Sequence, residues 1–337
     1  MEYRNMGRSG LKVSSLCLGT MTFGHGADLE TAKKMVHMSL DAGINFFDTA
    51  NSYGGGLSEE YLGKALKGRR RDAVVATKYF NPMGTGINDS GMSRVHIFNA
   101  VEDSLRRLQM DYVDILYIHH VDVQTPLEEM LRAMEDLVRQ GKTRYIACSN
   151  YEAWRLAEAL AISERNNWAR FTCYQPLYNL LTRDIEDELI PLCQYKGLGV
   201  VTWAPLAGGY LSGKYKPGQF VLKGTRSEEN WAYPSEFFAP NAAEILQTLL
   251  DVAGEVGRSP AQVAIRWVVE QPGITAPIIG ARTLEQLKDN LQASTWTLPP
   301  ALKERLDAVS RPPDRYPKAM EATMQARRDH AVQMPSL

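Results

Sequence analysis

Two hydrophobic rhythms alternate along the chain. Short runs with a β-branched and aromatic bias, VSSLCLG, INFFDT, AVVATK, VDILYIH, TRYIACS, FTCYQ, GVVTW and ITAPIIG, are almost continuously apolar. A strand with one wet face would alternate apolar and polar residues; near-continuous runs predict parallel strands buried on both faces. Between them lie segments such as LETAKKMVHMSLDAG, VHIFNAVEDSLRRLQ, PLEEMLRAMEDLVRQG and DIEDELIPLCQYKG. Their apolar residues recur at three and four, the spacing of an amphipathic helix. Several end on Gly43, Gly141 or Gly197, where a left-handed residue stops a helix and turns the chain toward the next strand. A strand followed by a helix, eight times over, predicts an α/β fold, the (β/α)8 TIM barrel.

Three segments depart from that rhythm. EYRNMGRSGLKVS places Gly-Arg-Ser-Gly between two short extended stretches, which predicts an N-terminal hairpin plugging the barrel floor. Residues 204–240 are rich in Gly, Pro and scattered aromatics, and an insert of that length in a compact domain is usually functional or mobile. Two further helices, over NAAEILQTLLDVAGEVG and SPAQVAIRWVVEQ, follow it. The stretch from Arg311 is polar and proline-bearing. The expected organisation is a single barrel domain with extra helices over residues 1–310 and a C-terminal tail, 311–337, packed on the barrel or trailing from it.

Composition narrows the partners. A formal net charge of −1 gives no broad attraction to nucleic acid or anionic membrane. The N-terminus lacks the apolar core of a signal peptide and no apolar run reaches membrane-spanning length, so a cytoplasmic protein is expected. Cys17, Cys148, Cys173 and Cys193 form no CxxC pair, and three lie within strand-like runs, which predicts buried reduced thiols. Oligomer formation is compatible with the sequence.

The candidate chemistry sits at strand ends. Asp48, Tyr53, Lys78 and His119 lie at or just beyond the C-terminal ends of three successive runs, and a parallel barrel gathers those ends on one face. Reducing an aldehyde or ketone needs a hydride on carbon and a proton on oxygen, and free tyrosine, with a pKa of about 10, is too weak an acid to give that proton near neutral pH. A neighbouring ammonium stabilises the phenolate; Lys78 can supply it, and Asp48 can hold and orient it. His119 can hydrogen-bond the carbonyl oxygen and share its developing charge. Singly, each has a plainer reading: Asp48 as a helix cap, Tyr53 as loop packing, Lys78 as a surface cation and His119 as a satisfied core histidine. Their joint order favours the chemical one. His119-His120-x-Asp122 also invites a divalent metal and a hydrolase, but adjacent residues at a strand end point in different directions and no HxH pair accompanies them.

No GxGxxG follows a strand, so a Rossmann fold is unsupported. Arg282, Gln286 and Asn290 are spaced by four and share a face if the segment after Gly280 is helical. A helix N-terminus plus a guanidinium suits a phosphate, which favours NADPH over NADH. Thr283-Leu284-Glu285-Gln286 is equally a capping box, with Gln286 satisfying its own helix end.

The runs FFDTANSYGGGLSEEYLGKAL, VVATK, VDILYIHHVD, IACSN and YQPLYNLL resemble the aldo-keto reductase superfamily, particularly its shorter members similar to the voltage-gated potassium-channel β-subunits. The resemblance extends from LGTMTFG to IIGARTLEQLKDNL. It implies that Asp48, Tyr53, Lys78 and His119 are the catalytic tetrad, that Tyr53 is the general acid, and that hydride comes directly from bound NADPH without metal. It also implies cofactor contacts from Gly19, Thr20, Met21 and Asp48, carboxamide contacts from Ser149, Asn150 and Gln175, and ring stacking by Trp203. Ala204, Pro205, Leu206, Ser212 and Lys214 would follow the pyrophosphate; Gly280, Arg282, Gln286 and Asn290 would hold the adenosine phosphate. Met21, Phe23, Tyr79, Phe80, His120, Trp231 and Tyr233 are the candidate walls of a substrate pocket suiting small aromatic aldehydes, quinones, sugars or polyol-derived ketones about equally. Two rivals stand beside this reading: an NADPH-binding regulatory or scaffold subunit, and the metal-assisted hydrolase.

Overall fold

The structure is a computed structural model that describes residues 1–223, 225, 228 and 238–333. It opens with the expected hairpin, β1 (Tyr3–Asn5) antiparallel to β2 (Lys12–Ser14), with Tyr3 opposite Ser14. Then come β3 (Cys17–Gly19), β4 (Phe46–Asp48), β5 (Val74–Tyr79), β6 (Val113–Ile118), β7 (Thr143–Ser149), β8 (Phe171–Gln175), β9 (Gly199–Thr202) and β10 (Ala276–Ile279). Each falls on one of the predicted runs. All eight pair in parallel and close into a barrel, sealed where Ile278 and Ile279 of β10 pair with Cys17 and Leu18 of β3.

Helices α1 (Leu29–Asp41), α2 (Leu57–Ala65), α3 (Arg94–Leu108), α4 (Leu127–Arg139), α5 (Ala153–Asn166) and α6 (Leu189–Lys196) link successive strands. Then α7 (Ala242–Val256) and α8 (Pro260–Val269) precede β10, and α9 (Leu284–Leu291), α10 (Pro300–Ser310) and α11 (Lys318–Gln333) follow it. Their starts are capped as local chemistry requires: Asp28, Ser93 and Ser259 accept from the backbone N–H three residues on, and Pro260 occupies the first turn of α8. Gly43, Gly141 and Gly197 all take positive φ just past their helices, as expected.

Two elements differ from expectation. The DIEDELIPLCQYKG segment is not one helix: Asp184–Glu186 forms a separate 3₁₀ turn and α6 begins only at Leu189. Pro191 sets that start, because a proline fits only the first turn of a helix. The tail contains α11, a largely exposed helix rich in good helix formers, tethered through Lys318 to Asp187 at 2.8 Å.

The strands sort their side chains by parity. Cys17, Phe46, Val74, Ala76, Ile115, Tyr117, Ala147, Cys173, Val201 and Ala276 pack together inside the barrel, with Met6 and Val13 of the hairpin region beneath them. Their immediate neighbours along the strands, such as Leu18, Phe47, Val75, Leu116, Ile118, Cys148 and Val200, pack outward against the helices. The hairpin does plug the floor: Arg8 N–H donates to Gly197 O at 2.8 Å, and Arg4 reaches the carbonyls of Val269 and Ile274 at 3.0 Å each. All four cysteines are free and buried. No helix among the described residues is long and apolar enough to cross a membrane.

Candidate active site

Inside the barrel, two residues up from the packed layer along each strand, the side chains become polar. Asp48 follows Phe46, Lys78 follows Ala76, His119 follows Tyr117, Ser149 follows Ala147, Gln175 follows Cys173 and Trp203 follows Val201. Period two keeps each on the inward face, so six strands deliver these groups to one mouth.

Lys78 is the centre. Its ammonium is fully buried and spends its three N–H donors on the Asp48 carboxylate, on Thr49 O at 2.8 Å and on the Tyr53 hydroxyl at 3.3 Å. Burial opposes that charge, but Asp48 and then Tyr53 outweigh it and hold the lysine pKa above its ordinary value. The other Asp48 oxygen accepts from Gln175 Nε2 at 2.9 Å. Tyr53 reaches the cluster from outside the strands, on a 3₁₀ turn, Tyr53–Gly56. Its ring meets His119 edge-on at 5.7 Å.

His119 is held neutral. Burial, then the charge of Lys78 and the neighbouring His120, push its imidazole well below the ordinary histidine range. Its Nδ1 is shut off from solvent with no hydrogen-bond partner. A neutral ring carries one N–H, and a buried donor without an acceptor is costly, so the proton belongs on Nε2. His120 stacks on His119 at 4.5 Å and meets Phe80 edge-on at 5.4 Å.

The remaining predicted residues form a connected rim. Asn150 donates to His119 O at 3.0 Å and accepts from Trp203 Nε1 at 3.1 Å, and Ser149 Oγ donates to Gln175 O at 2.7 Å. Backbone strain gathers here: Asn150, Ala204 and Ala207 have φ of +61°, +53° and +48°. The other two positive non-glycine residues among those described, Gln109 and Asn167, merely end helices. Such strain persists only where surrounding structure over-determines it.

At β10 the capping alternative is realised. Thr283 Oγ1 accepts from Gln286 N–H at 3.3 Å, Gln286 Oε1 accepts from Arg282 N–H at 2.8 Å and Asn290 Nδ2 donates to Gly280 O at 3.1 Å. Gln286 and Asn290 therefore brace the turn that presents Arg282. Gly19, expected near a ligand, is required by packing, since a Cβ there would come within 2.5 Å of Ile278. The Thr20 hydroxyl is engaged internally with Ser58 and Asp48 O. Met21, Leu206 and Ser212 are half-buried, Pro205 is buried and Lys214 is exposed.

Two pocket expectations are corrected. Phe23 and Tyr79 are 0% and 1% exposed and pack in the layer between strands and helices. Tyr79 is one residue past Lys78, hence on the opposite face of β5. Phe80 and His120 stay half-buried near the mouth, while Trp231 and Tyr233 lie outside the described residues. Asp122 is engaged in its own loop: burial raises its pKa, but the bonds its oxygens accept from Gln124, Thr125 and Met92 outweigh that and hold the carboxyl below the usual value. Sequence reasoning missed Ser58 and Glu59, both fully buried in the first turn of α2. The detectable signal was a carboxylate on the apolar face shared with Leu62 and Leu66.

A family model described as the aldo/keto reductase family matches residues 15–311. A Bacillus subtilis (strain 168) protein named uncharacterized oxidoreductase YrpG is 41% identical, over 92% of this chain and 96% of its own. Proteins named probable voltage-gated potassium channel subunit beta are each 38% identical: the one from Oryza sativa subsp. japonica over 92% of this chain and 96% of its own, the one from Arabidopsis thaliana over 87% and 91%.

Proposed function

The chain belongs to the aldo/keto reductase family of oxidoreductases, and from that premise we propose that it reduces aldehydes or ketones to alcohols, reversibly, with NADPH and with Tyr53 as general acid. The observation that carries this reading is the Tyr53 hydroxyl 3.3 Å from a buried ammonium that is itself anchored by Asp48. In that setting the Lys78 charge stabilises the phenolate that proton donation leaves behind. His119, neutral and with its N–H on Nε2, donates to the carbonyl oxygen and orients it. Asp48 keeps Lys78 charged and aimed; Gln175 fixes the second Asp48 oxygen.

The mouth fits a phosphorylated dinucleotide. Arg282 stands on a braced turn at the start of α9, Gly208 and Gly209 take φ of +64° and +105° in the turn after β9, and a Cβ on Gly209 would come within 3.2 Å of Lys214 Nζ. A turn without side chains beside a lysine suits close approach of phosphate oxygens. Arg282, with Gly280, Gln286 and Asn290 shaping its turn, would hold the adenosine phosphate; Lys214, Ser212 and residues 204–206 the pyrophosphate; Ser149, Asn150, Gln175 and Trp203 the nicotinamide, alongside Gly19, Thr20, Met21 and Asp48. When bound, that cofactor supplies the hydride. Phe80 and His120 are the walls proposed for the carbonyl substrate.

The test is NADPH consumption by the purified protein across a panel of aromatic aldehydes, quinones, sugars and simple ketones, with and without chelator. Turnover insensitive to chelator is expected. Absence of turnover with every carbonyl, while NADPH still binds, would favour the second reading, a cofactor-binding regulatory or scaffold subunit. The names of the rice and Arabidopsis relatives speak for that one.

A further inference from the structure

The cluster around Lys78 does not explain what keeps Tyr53 in reach of it. Tyr53 is followed by Gly54, Gly55 and Gly56 at φ of +58°, +65° and +97°, three residues with the greatest backbone freedom. The turn by itself therefore sets no distance between the phenol and the ammonium. Beyond it, the first turn of α2 carries an anchor. Ser58 Oγ donates to Thr20 O at 2.8 Å and shares hydrogen bonds with Thr20 Oγ1 at 2.7 Å and Thr49 Oγ1 at 2.9 Å. Glu59, fully buried, accepts from Thr77 Oγ1 at 2.5 Å through one oxygen and from Arg107 Nε at 2.7 Å through the other.

The partners are placed tellingly. Thr49 is the residue after Asp48, and Thr77 is the residue before Lys78. The segment bearing Tyr53 is thus pegged to the threonine hydroxyls that flank the two groups its own hydroxyl must meet. Arg107 closes the arrangement from α3: it donates a further bond to Ser104 Oγ at 3.3 Å, and its stem lies so close to Gly56 that a Cβ there would fall 2.7 Å from Cδ. For stability alone, apolar residues of like volume commonly serve as well as a buried ion pair. An ion pair whose fully buried carboxylate meets the Lys78 strand and whose half-buried guanidinium stem meets the glycine turn fits a role in placement.

We infer that Glu59 and Arg107 form a positioning clamp that sets the Tyr53 hydroxyl against Lys78. The inference rests on the reading of Tyr53 as the acid, and neither clamp residue touches the reacting atoms. The phenol–ammonium contact of 3.3 Å is already long for a charge-assisted bond, so a small retreat of the turn loses it.

The experiment compares Glu59→Gln, Arg107→Ala and Arg107→Lys with the parent enzyme. Glu59→Gln and Arg107→Ala should lower kcat by about tenfold or more, as misplacement of a reacting group does, while KM and NADPH affinity stay within about twofold. Arg107→Lys, which keeps a cation near Glu59, should recover most of kcat. A second readout needs no turnover: NMR titration of isotope-labelled tyrosine, the Tyr53 signal being the one missing in Tyr53→Phe. Lys78 at the Tyr53 hydroxyl, Asp48 behind that ammonium, His119 edge-on to the ring and His120 stacked behind it are all unchanged in the clamp variants. The Tyr53 midpoint should rise in Glu59→Gln and Arg107→Ala. If kcat and that midpoint hold and only melting temperature falls, the pair is a structural bridge and the clamp is wrong; a joint fall of kcat and cofactor affinity also overturns it. Should the parent reduce no carbonyl, the reductase reading fails, yet an unmoved Tyr53 titration still overturns the clamp and a raised one still supports it. Should Glu59→Gln fail to fold, Arg107→Ala carries the same outcomes.

Discussion

The two ends of this barrel are made by the same eight strands and handle close contact in opposite ways. At the floor the chain closes on itself. Gly7 and Gly199 pack so tightly that a Cβ on Gly199 would meet Met6 Sδ at 2.5 Å and Gly7 N at 3.0 Å, and Arg4 ties the hairpin to carbonyls of the opposite wall. At the mouth the same inward positions hold a buried carboxylate, a buried ammonium and an imidazole nitrogen without a partner. Asn51, in the loop after β4, is also fully buried with both side-chain polar atoms unpaired. One end invests in closure, the other in groups that are costly to bury. Substitutions at the mouth should therefore move chemistry with little change in stability, and substitutions at the floor the reverse.

Tyr53→Phe is the largest expected break in that contrast. Removing a general acid costs about 10²–10⁴-fold in turnover, and here the fold and NADPH binding should be retained. A variant that keeps a tenth or more of parental kcat would remove Tyr53 from the proposed role. Arg282→Ala comes next. Losing charge-assisted hydrogen bonds to a phosphate costs about 1.5–3 kcal/mol, so NADPH should weaken by roughly ten- to a hundredfold while NADH changes little. Titration of both cofactors into both proteins decides it, and an equal loss for the two would refute the phosphate assignment.

Gly199→Ala probes the other end. The new methyl presses on Met6 and on the backbone of Gly7, and overpacking of this kind costs about 1–3 kcal/mol. Denaturant midpoints should fall accordingly, with kcat per folded molecule unchanged. A stable variant with impaired turnover would mean that floor and mouth are mechanically coupled, and the contrast would dissolve.

Much of the fold was legible because each strand run was nearly all apolar, and that same property hid which face of each strand looks inward. The convergence of Asp48, Tyr53, Lys78 and His119 was readable from their place at strand ends. Tyr79 was not, since it continues β5 by one residue and parity sends it to the helix layer beside Val75. The carboxylate of Glu59 is masked for a different reason: acidic residues are ordinary in the first turn of a helix, where the macrodipole favours them, so its place on the face of Leu62 and Leu66 is the one mark of its burial against Thr77. Helix α11 escaped notice because its residues favour a helix by propensity without an apolar stripe. At α9 the spacing of Arg282, Gln286 and Asn290 was right, but spacing alone does not separate a ligand contact from a cap, and two of the three brace the turn.

The smallest predicted effect distinguishes the ends by pH. Burial first, then Lys78 and His120, keep His119 neutral far below the pH at which a histidine in the unfolded chain, with a pKa near about 6.5, takes up its proton. Below that pH the unfolded chain binds a proton that the native site refuses. Stability is therefore full above about 6.5 and is lost as pH falls toward the depressed native value, by up to about 1.4 kcal/mol per pH unit for one proton. His119→Gln removes this contribution, so its denaturant midpoint should fall less than the parent's between pH 7 and pH 5. A smaller residual slope should persist from His120, whose pKa is lowered by burial and then by Lys78. Gly199→Ala introduces no titratable group and should displace the whole curve without changing its slope. Parallel curves for the parent and His119→Gln would show that the imidazole protonates freely in the native mouth. A histidine that did so could not serve as the neutral Nε2 donor.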